Sequence, residues 1–288
     1  MIATIVGLVA GFLAGRLVWV LLRPTFAQPL FSRHNLRGVV VPTACGVVLA
    51  LAAVLVEGGR TVSGAAGLGK SASGSAPRLA VLIVALGMGL AGLLDDLAGG
   101  AEARTTRGFR GHLTALREGR LTTGAMKLVM GAAVALVAVA TARPYAVHHS
   151  LGRLLADAAL VALSANLSNL LDRAPGRAGK VGLLAFVGLA LGTTLDASLS
   201  AVAVVVGATG ALLPDDLRER AMLGDTGANI LGGVLGLGVV AACSPMTRTV
   251  VLIVVAALNL VSELVSFSRV IDRVPPLRKL DQVGRLPH

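Results

Sequence analysis

The chain has 288 residues, of which 55% are hydrophobic and only 14% charged, and its formal net charge is +11. Soluble domains carry about a quarter charged residues, so this composition excludes a soluble globular protein and indicates a chain that crosses a membrane several times. The basic residues are not interleaved with aromatic ones, which make up 3% of the chain, and this argues against nucleic acid as a partner.

Nine apolar runs follow one another along the chain, and apolar segments of this kind must be helical in a bilayer of about 30 Å hydrocarbon thickness. The predicted spans are 1–22, 38–57, 78–95, 124–142, 151–171, 180–195, 199–213, 227–243 and 248–267. The first lacks a basic leader and a cleavage site, so it is predicted to be a retained helix. The sequence therefore predicts an all-α polytopic fold, with residues 1–288 forming one transmembrane domain.

The loops between these helices differ in charge. One set, counted with Lys127 at the edge of the fourth span, holds 19 of the 26 Lys and Arg residues. It comprises 23–37, 96–123, 172–180, 214–226 and 268–288. Because cytoplasmic loops carry the excess of Lys and Arg, we expect these loops and the C-terminus in the cytoplasm and the N-terminus outside. Such a basic face suits anionic lipid or a phosphorylated substrate.

Small residues and cysteines give further expectations. Gly232 and Gly236 form a GxxxG pair, which predicts close helix packing and would also permit a homodimer. Cys45 and Cys243 form no CxxC motif, so no disulfide is expected. The Gly- and Ser-rich stretch 58–77 is predicted to be a flexible external linker.

Polar side chains collect at the predicted cytoplasmic ends of four spans. In chain order they are Asp95 and Asp96 in "GLLDDLAGG", Lys127 in "TTGAMKLV", Asn166, Asn169 and Asp172 in "SANLSNLLDRAPGRAGK", and Asp225 in "LGDTGAN". Each has a structural alternative: an Asp pair can end a solvated helix, Asn residues can join helices, and Asp225 can be favoured by a helix dipole. Asp215 and Asp216, after Pro214, are interpreted as an ordinary capped turn outside the site.

The combination favours a site over these alternatives. Carboxylates and a lysine on four helices reach the same membrane face, and ionisable groups at such depth are functional candidates. Several converging carboxylates need a cation, and oxygen ligands beside phosphates suit Mg²⁺, with Mn²⁺ as a substitute. Carboxylates, a divalent cation and a basic rim are the parts that phosphoryl transfer requires.

At this point the motifs resemble a known family. The order "PTACG" (42–46), "DD" (95–96), a lysine at 127, "NLSNLLD" (166–172) and "LGDTGANILGG" (223–233) is similar to the polyprenyl-phosphate N-acetylhexosamine-1-phosphate transferases. That family includes the phospho-MurNAc-pentapeptide translocase and the UDP-GlcNAc:undecaprenyl-phosphate GlcNAc-1-phosphate transferases. The resemblance covers most of the chain, from about residue 33 to 270.

The resemblance implies an inner-membrane enzyme of cell-wall or surface-polysaccharide synthesis. It would move a sugar-1-phosphate from a cytosolic UDP-amino sugar to a membrane polyprenyl phosphate and release UMP. Asp225 would be a magnesium ligand with Asp172, and Asp95 and Asp96 would lie beside the lipid phosphate. Lys127 would hold phosphate charge. Asn166, Asn169 and Asp172 would face the nucleotide diphosphate.

The sequence departs from the family pattern in two places. Arg173 and Pro175 replace a glycine and the second aspartate of the asparagine motif, and the C-terminal tail lacks the family's histidine cluster. Arg173, Arg177 and Lys180 are candidates for the missing cationic contacts to substrate. Two alternatives stay open: a homologue without catalysis that binds the lipid carrier or a nucleotide-sugar and regulates envelope synthesis, and a transporter. Against the transporter, the sequence shows no internal repeat.

Overall fold

The computed structural model describes residues 1–35, 37–68, 75–98, 123–143 and 151–286. Most of the predicted loop 96–123, part of the predicted linker 58–77 and the last two residues of the predicted loop 268–288 lie outside the described residues. The helices are α1 Ile2–Phe26, α2 Val47–Ala65, α3 Ser75–Ala98, α4 Thr123–Ala142, α5 Leu151–Leu171, α6 Arg177–Gly192, α7 Ser200–Leu217, α8 Gly224–Ala242, α9 Pro245–Leu264, α10 Phe267–Arg273 and α11 Pro275–Gln282. Two short 3₁₀ turns lie at Pro29–Phe31 and Ala197–Leu199.

Seven of the described helices are long and apolar enough to cross a membrane, so the chain is a multi-pass membrane protein. They are α1, α2, α3, α5, α8, α9 and the segment Ala197–Leu217 that contains α7. Each of the nine predicted spans corresponds to a described helix. The two that do not meet this measure are α4, whose apolar part is Met126–Ala142, and α6, which has 16 residues.

Helix α8 packs against α3 and α5, while α1 runs along α7. A Cβ atom added at Gly232 would lie 2.2 Å from the carbonyl oxygen of Ser164, and one at Gly11 would lie 2.0 Å from that of Val204. Only glycine permits such approach, which is how helices pack closely in lipid. The prediction that Gly232 and Gly236 pack helices is confirmed, and α5 of the same chain covers this face.

The predicted span 38–57 is wrong at its start. Residues Ser32–His34 and Val40–Pro42 form two strands, β1 and β2, that pair antiparallel. Adjacent valines favour extended backbone, and Ala44, with φ of 58°, turns the chain before α2. The helix therefore begins only at Val47.

The linker predicted at 58–77 is wrong where it is described. Helix α2 continues to Ala65 and α3 begins at Ser75. The buried carboxylate of Glu57 explains part of this extension, because it pairs with Arg60 on the next turn of α2 and with Arg78 of α3, at 3.5 Å from its Nε. These contacts hold the ends of the two helices together.

The capped turn predicted after Pro214 is also wrong, since α7 continues through this proline to Leu217. Asp215 and Asp216 are therefore helical and buried. A buried carboxylate needs a partner, and Asp215 has one in Arg16 of α1, whose Nη1 donates to it at 2.7 Å. The predicted loop 268–288 likewise contains two short helices, α10 and α11.

Candidate functional site

Four of the predicted site residues meet at one end of the bundle, which we call the acid cluster: Asp95, Lys127, Asn169 and Asp225. Helices α3 and α5 end there, and α4 and α8 begin there. The ammonium of Lys127 donates to Asp225 and, at 3.3 Å, to Asp95 Oδ2. Asn169 donates its Nδ2 to Asp225 Oδ1 at 2.7 Å and accepts from Lys127 Nζ at 3.0 Å. Two carboxylates thus share one cation.

The acid cluster is partly open to solvent. The side chain of Lys127 is 16% exposed, that of Asp95 27% and that of Asp225 32%. The carboxylates of Asp95 and Asp225 also lie within hydrogen-bonding reach of each other. Two carboxylates this close attract a cation strongly, and a ligand can approach them from the exposed side.

Asp96 points away from its neighbour Asp95. Its carboxylate accepts the backbone N–H groups of Asp225 and Thr226, both at 3.0 Å, and the Thr226 hydroxyl at 2.6 Å. The first amides of a helix lack partners within the helix, so Asp96 caps α8 from another helix. The two adjacent aspartates therefore have different roles. Asp95 belongs to the acid cluster, and Asp96 caps the helix that carries Asp225.

The glycines of the "GDTG" motif have structural causes. Gly224 has φ of +70°, and a Cβ there would lie 2.7 Å from an oxygen of Asp96. Gly227 faces Gly46 of the "PTACG" motif, where an added Cβ would lie 2.1 Å from the Gly227 Cα. The Gly46 amide also donates to the Leu223 carbonyl at 3.0 Å. The two motifs join the start of α2 to the start of α8.

Cys45 takes part in the same junction through its backbone, which donates to the Met222 carbonyl at 3.1 Å. Burial raises the pKa of its thiol to about 12, so the thiol stays neutral and is a poor nucleophile. Cys45 and Cys243 are both free, as the sequence predicts.

Asn166 lies apart from the acid cluster, on the α9 side of α5. Its Nδ2 donates to Asn259 Oδ1 at 2.7 Å, and Asn259 in turn donates to the Leu163 and Val255 carbonyls at 3.1 and 2.8 Å. This chain of hydrogen bonds joins α5 to α9. Of the two alternatives for this residue, the geometry favours the helix contact.

Asp172 follows the last residue of α5 and is half-buried. It accepts the backbone N–H of Gly224, but burial and the negative charges of Asp216, Asp225 and Asp96 raise its pKa well above the ordinary value. A raised pKa means that the ionised form of Asp172 is disfavoured, and a positive charge beside it would favour that form.

The predicted magnesium site can be tested against these donors. Within the described ranges no three His, Cys, Asp or Glu side chains form a metal-binding group. Mg²⁺ commonly takes only one or two protein carboxylates together with substrate phosphates and water. Asp95 and Asp225 already share one cation, the Lys127 ammonium, and carboxylate oxygens are of the type that binds Mg²⁺ beside a phosphate ligand.

A pocket of about 430 Å³ opens beside Asp172. Its wall is formed by the β1–β2 hairpin, the α5–α6 and α7–α8 connections, and the C-terminal segment. Four cationic and four acidic side chains line it, namely Arg37, Arg173, Arg177, Arg285, Asp172, Asp216, Glu219 and Asp272. The pocket can therefore take a polar ligand with separated charges. Of the three predicted cationic contacts, Arg173 and Arg177 line it.

Lys180, the third of these cations, holds the C-terminal segment. Its ammonium donates to the carbonyls of Leu280, Asp281 and Val283 at the end of α11. An ammonium has three donors, and a cation at a helix C-terminus is favoured by the exposed carbonyls. Lys180 thus fastens the segment that forms part of the pocket wall.

Sequence reasoning missed four acidic or basic side chains of this region. Asp216 is interpreted from sequence as part of a capped turn, and Glu219, Asp281 and Arg285 fall in the predicted loops 214–226 and 268–288. The backbone N–H of Gly176 donates to Asp216, while Glu219 binds Arg37 at 3.3 Å. Adjacent Asp residues directly after a long apolar run were the available signal, because such a run implies burial.

No protein-family model matches this chain, and no curated protein matches it significantly.

Proposed function

We propose that the protein transfers a sugar-1-phosphate from a UDP-N-acetylamino sugar to a membrane polyprenyl phosphate and releases UMP, with Mg²⁺ as cofactor. The acid cluster carries this proposal. Asp95 and Asp225 share one cation at the end of a membrane bundle, next to a pocket of about 430 Å³. A lipid phosphate and a polar nucleotide-sugar can meet only at such a boundary between membrane and water.

In the proposed reaction an oxygen of the polyprenyl phosphate bonds to the phosphorus that carries the sugar. The bond from this phosphorus to the UMP oxygen breaks, and UMP leaves with its electron pair. Bound Mg²⁺ would be held by Asp225 and by Asp95, which takes the place of the predicted ligand Asp172, and it would neutralise the diphosphate charge. Lys127 contributes a second positive charge, and Asn169 orients Asp225 and Lys127. Asp96 acts indirectly, by fixing the start of α8.

The proposal includes a topology. Nine crossings place the acid cluster, the pocket and the C-terminus in the cytoplasm, where the Lys and Arg excess would be. A reporter fused after the last residue should then be cytoplasmic, and one inserted after Leu68 external. Both reporters on one side would contradict nine crossings.

The direct test incubates purified protein with Mg²⁺, undecaprenyl phosphate and a panel of UDP-sugars and measures UMP. We expect release with at least one UDP-amino sugar, and a loss of several orders of magnitude in Asp225→Asn. The matched control is Asp196→Asn at the opposite end of the bundle, where the side chain caps a 3₁₀ turn and Asn caps about as well as Asp. Equal turnover in wild type and Asp225→Asn would refute the proposed site.

A second function, binding without turnover, has one observation in its favour. Arg177 and Lys180, two predicted substrate contacts, are engaged by the C-terminal segment. A regulator of envelope synthesis would bind the UDP-sugar or the lipid in the same pocket and release no UMP with any sugar. The same assay, run beside a binding measurement, separates the two functions.

A further inference from the structure

The C-terminal segment Phe267–Leu286 attaches to the bundle almost entirely through polar contacts. Asp281 is its only buried residue, in a range that the structure describes throughout. Leu277, Leu280 and Val283 are 43%, 51% and 61% exposed, so apolar packing contributes little to holding the segment. Its place beside the pocket is therefore set by charge and hydrogen bonds.

Asp281 is held by two guanidinium groups. Arg177 of α6 binds it with two parallel hydrogen bonds of 2.9 Å, from Nε to Oδ1 and from Nη2 to Oδ2. Arg285 adds a third from its Nη2, at 2.5 Å. A two-pronged Arg–carboxylate pair fixes both direction and distance, so Asp281 determines where both guanidinium groups lie.

Arg285 is anchored on its other side as well. Its Nε donates to the carbonyl of Pro175 at 2.9 Å, in the connection that follows Asp172. A guanidinium has five N–H donors, and these two contacts use two of them. The same side chain lines the pocket, together with Arg173 and Arg177, so donors remain for a molecule bound there.

The local charge favours an anionic ligand group at this wall. Three cations, Arg177, Arg285 and Lys180, act on the carboxylate of Asp281, and two of them, Arg285 and Lys180, also lie near the buried side chain of Asp216. Arg173 adds an exposed positive charge on the pocket rim.

We propose that Arg285 is a ligand-binding residue that the C-terminal segment supplies to the pocket, and that Asp281 is the positioning residue that holds Arg285 and Arg177 in place. The ligand is a phosphate-bearing molecule that contacts Arg285 and Arg173. Its identity as a nucleotide rests on the proposed function, whereas the geometry of Asp281, Arg177 and Arg285 does not.

The experiment measures binding of UDP and of inorganic pyrophosphate to the purified full-length protein with Mg²⁺, by calorimetry. Hydrogen exchange of the peptide that covers α11 reports separately whether the segment is docked. The variants are Arg285→Ala, Arg285→Lys and Asp281→Asn. The control is Arg278→Ala, which removes an exposed arginine of the same helix.

We expect Arg285→Ala to raise the Kd for UDP at least tenfold while α11 stays protected, because Arg177 still holds Asp281. The Kd of Arg285→Lys for UDP should lie between those of Arg285→Ala and wild type, since lysine keeps the charge and loses the planar donors. Asp281→Asn should weaken UDP binding and also reduce protection. Arg278→Ala should change neither.

Wild-type affinity for UDP in Arg285→Ala would overturn the proposal, as would the absence of UDP and pyrophosphate binding in wild type. If every variant with weaker UDP affinity also lost protection of α11, Arg285 would have a structural role only, and the proposal would also be overturned. Absence of UMP release, with UDP binding that still depends on Arg285, would refute the proposed enzyme activity and leave this inference standing.

Discussion

Lys127 and Asp225 form a hydrogen bond between α4 and α8 although 98 residues separate them in the chain. Asp95 of α3 accepts from the same ammonium. The Lys127 ammonium is thus the cation that balances both carboxylates when no metal is bound. If Mg²⁺ binds between these carboxylates, the Lys127 ammonium must shift toward the phosphates of the ligand.

Replacing Lys127 tests this exchange of cations. Lys127→Ala leaves Asp95 and Asp225 close together without a counter-charge, which destabilises the folded protein. We expect a lower Tm without Mg²⁺ and a larger rise in Tm on adding Mg²⁺ than wild type shows.

UMP release by Lys127→Ala should nevertheless fall steeply, because no other group replaces the positive charge that Lys127 gives to the substrate phosphates. The measurement is a thermal unfolding series with Mg²⁺ and with K⁺, and Lys279→Ala, at an exposed position, is the control. If Mg²⁺ raised the Tm of Lys127→Ala and of wild type by the same amount, this would argue against metal between these carboxylates.

Asp96 should contribute to stability more than Asp95. Asp96→Ala leaves two amides and a hydroxyl at the start of α8 without their acceptor, and loss of such a cap costs about 1–2 kcal/mol. Asp95→Ala removes only one of the two acceptors of Lys127, and the hydrogen bond from Lys127 to Asp225 remains. We therefore expect a lower Tm for Asp96→Ala than for Asp95→Ala, with Asp96→Asn in between. The opposite order would show that α8 does not depend on this cap.

The two asparagines of α5 should behave differently. Asn166→Ala breaks an interhelical hydrogen bond, worth about 0.6 kcal/mol in membrane proteins, and should leave UDP-sugar binding unchanged. Asn169→Ala removes the contact to Asp225 and Lys127 and should weaken binding with little change in Tm. Calorimetry and thermal unfolding of both variants check this, and unchanged affinity in Asn169→Ala would return Asn169 to a packing role.

The sequence predicted the helices well because each apolar run is long and the bilayer allows few alternatives. It also placed Asp95, Lys127, Asn169 and Asp225 at one membrane face, since alternating helices bring every second connection to the same side. Element ends were less accurate. The valines before Pro42 are as apolar as a helix, and only pairing with β1 distinguishes them.

The pocket could not be predicted in the same way. Its walls come from four segments that are far apart in sequence, and the contacts of Asp281 with Arg177 and Arg285 have no local sequence signature. Asp96 and Asp95 look identical in sequence, yet one caps a helix and the other joins the acid cluster. Whether Asp95 or Asp96 caps α8 depends on the position of that helix, which is determined by tertiary packing.

Two glycines of this region, Gly46 directly before α2 and Gly58 within it, should respond to substitution in opposite ways. Gly46→Ala would place a Cβ 2.1 Å from the Gly227 Cα, so α2 and α8 must separate and the acid cluster is disturbed. Gly58→Ala, inside α2, meets nothing within 4 Å and should stabilise the protein by about 0.5–1 kcal/mol, since Ala is the better helix former. Thermal unfolding should show a lower Tm for the first variant and an unchanged or higher Tm for the second. A harmless Gly46→Ala would mean that the two helices do not touch there.

Docking of the C-terminal segment should depend on pH through Asp281. Burial tends to raise the pKa of this carboxyl, but the hydrogen bonds and charge of Arg177, with the charges of Arg285 and Lys180, hold it below the ordinary value of 3.8. A carboxyl whose pKa is lower in the folded state stabilises that state above its unfolded pKa, and this contribution is lost as the pH falls through the folded pKa. Protection factors of α11, corrected for intrinsic exchange, should therefore be constant from about pH 7 to pH 5 and fall below 3.8. In Asp281→Asn they should be low throughout and show no such step. A wild-type segment that undocks well above pH 3.8 would show that another group, and not Asp281, controls its docking.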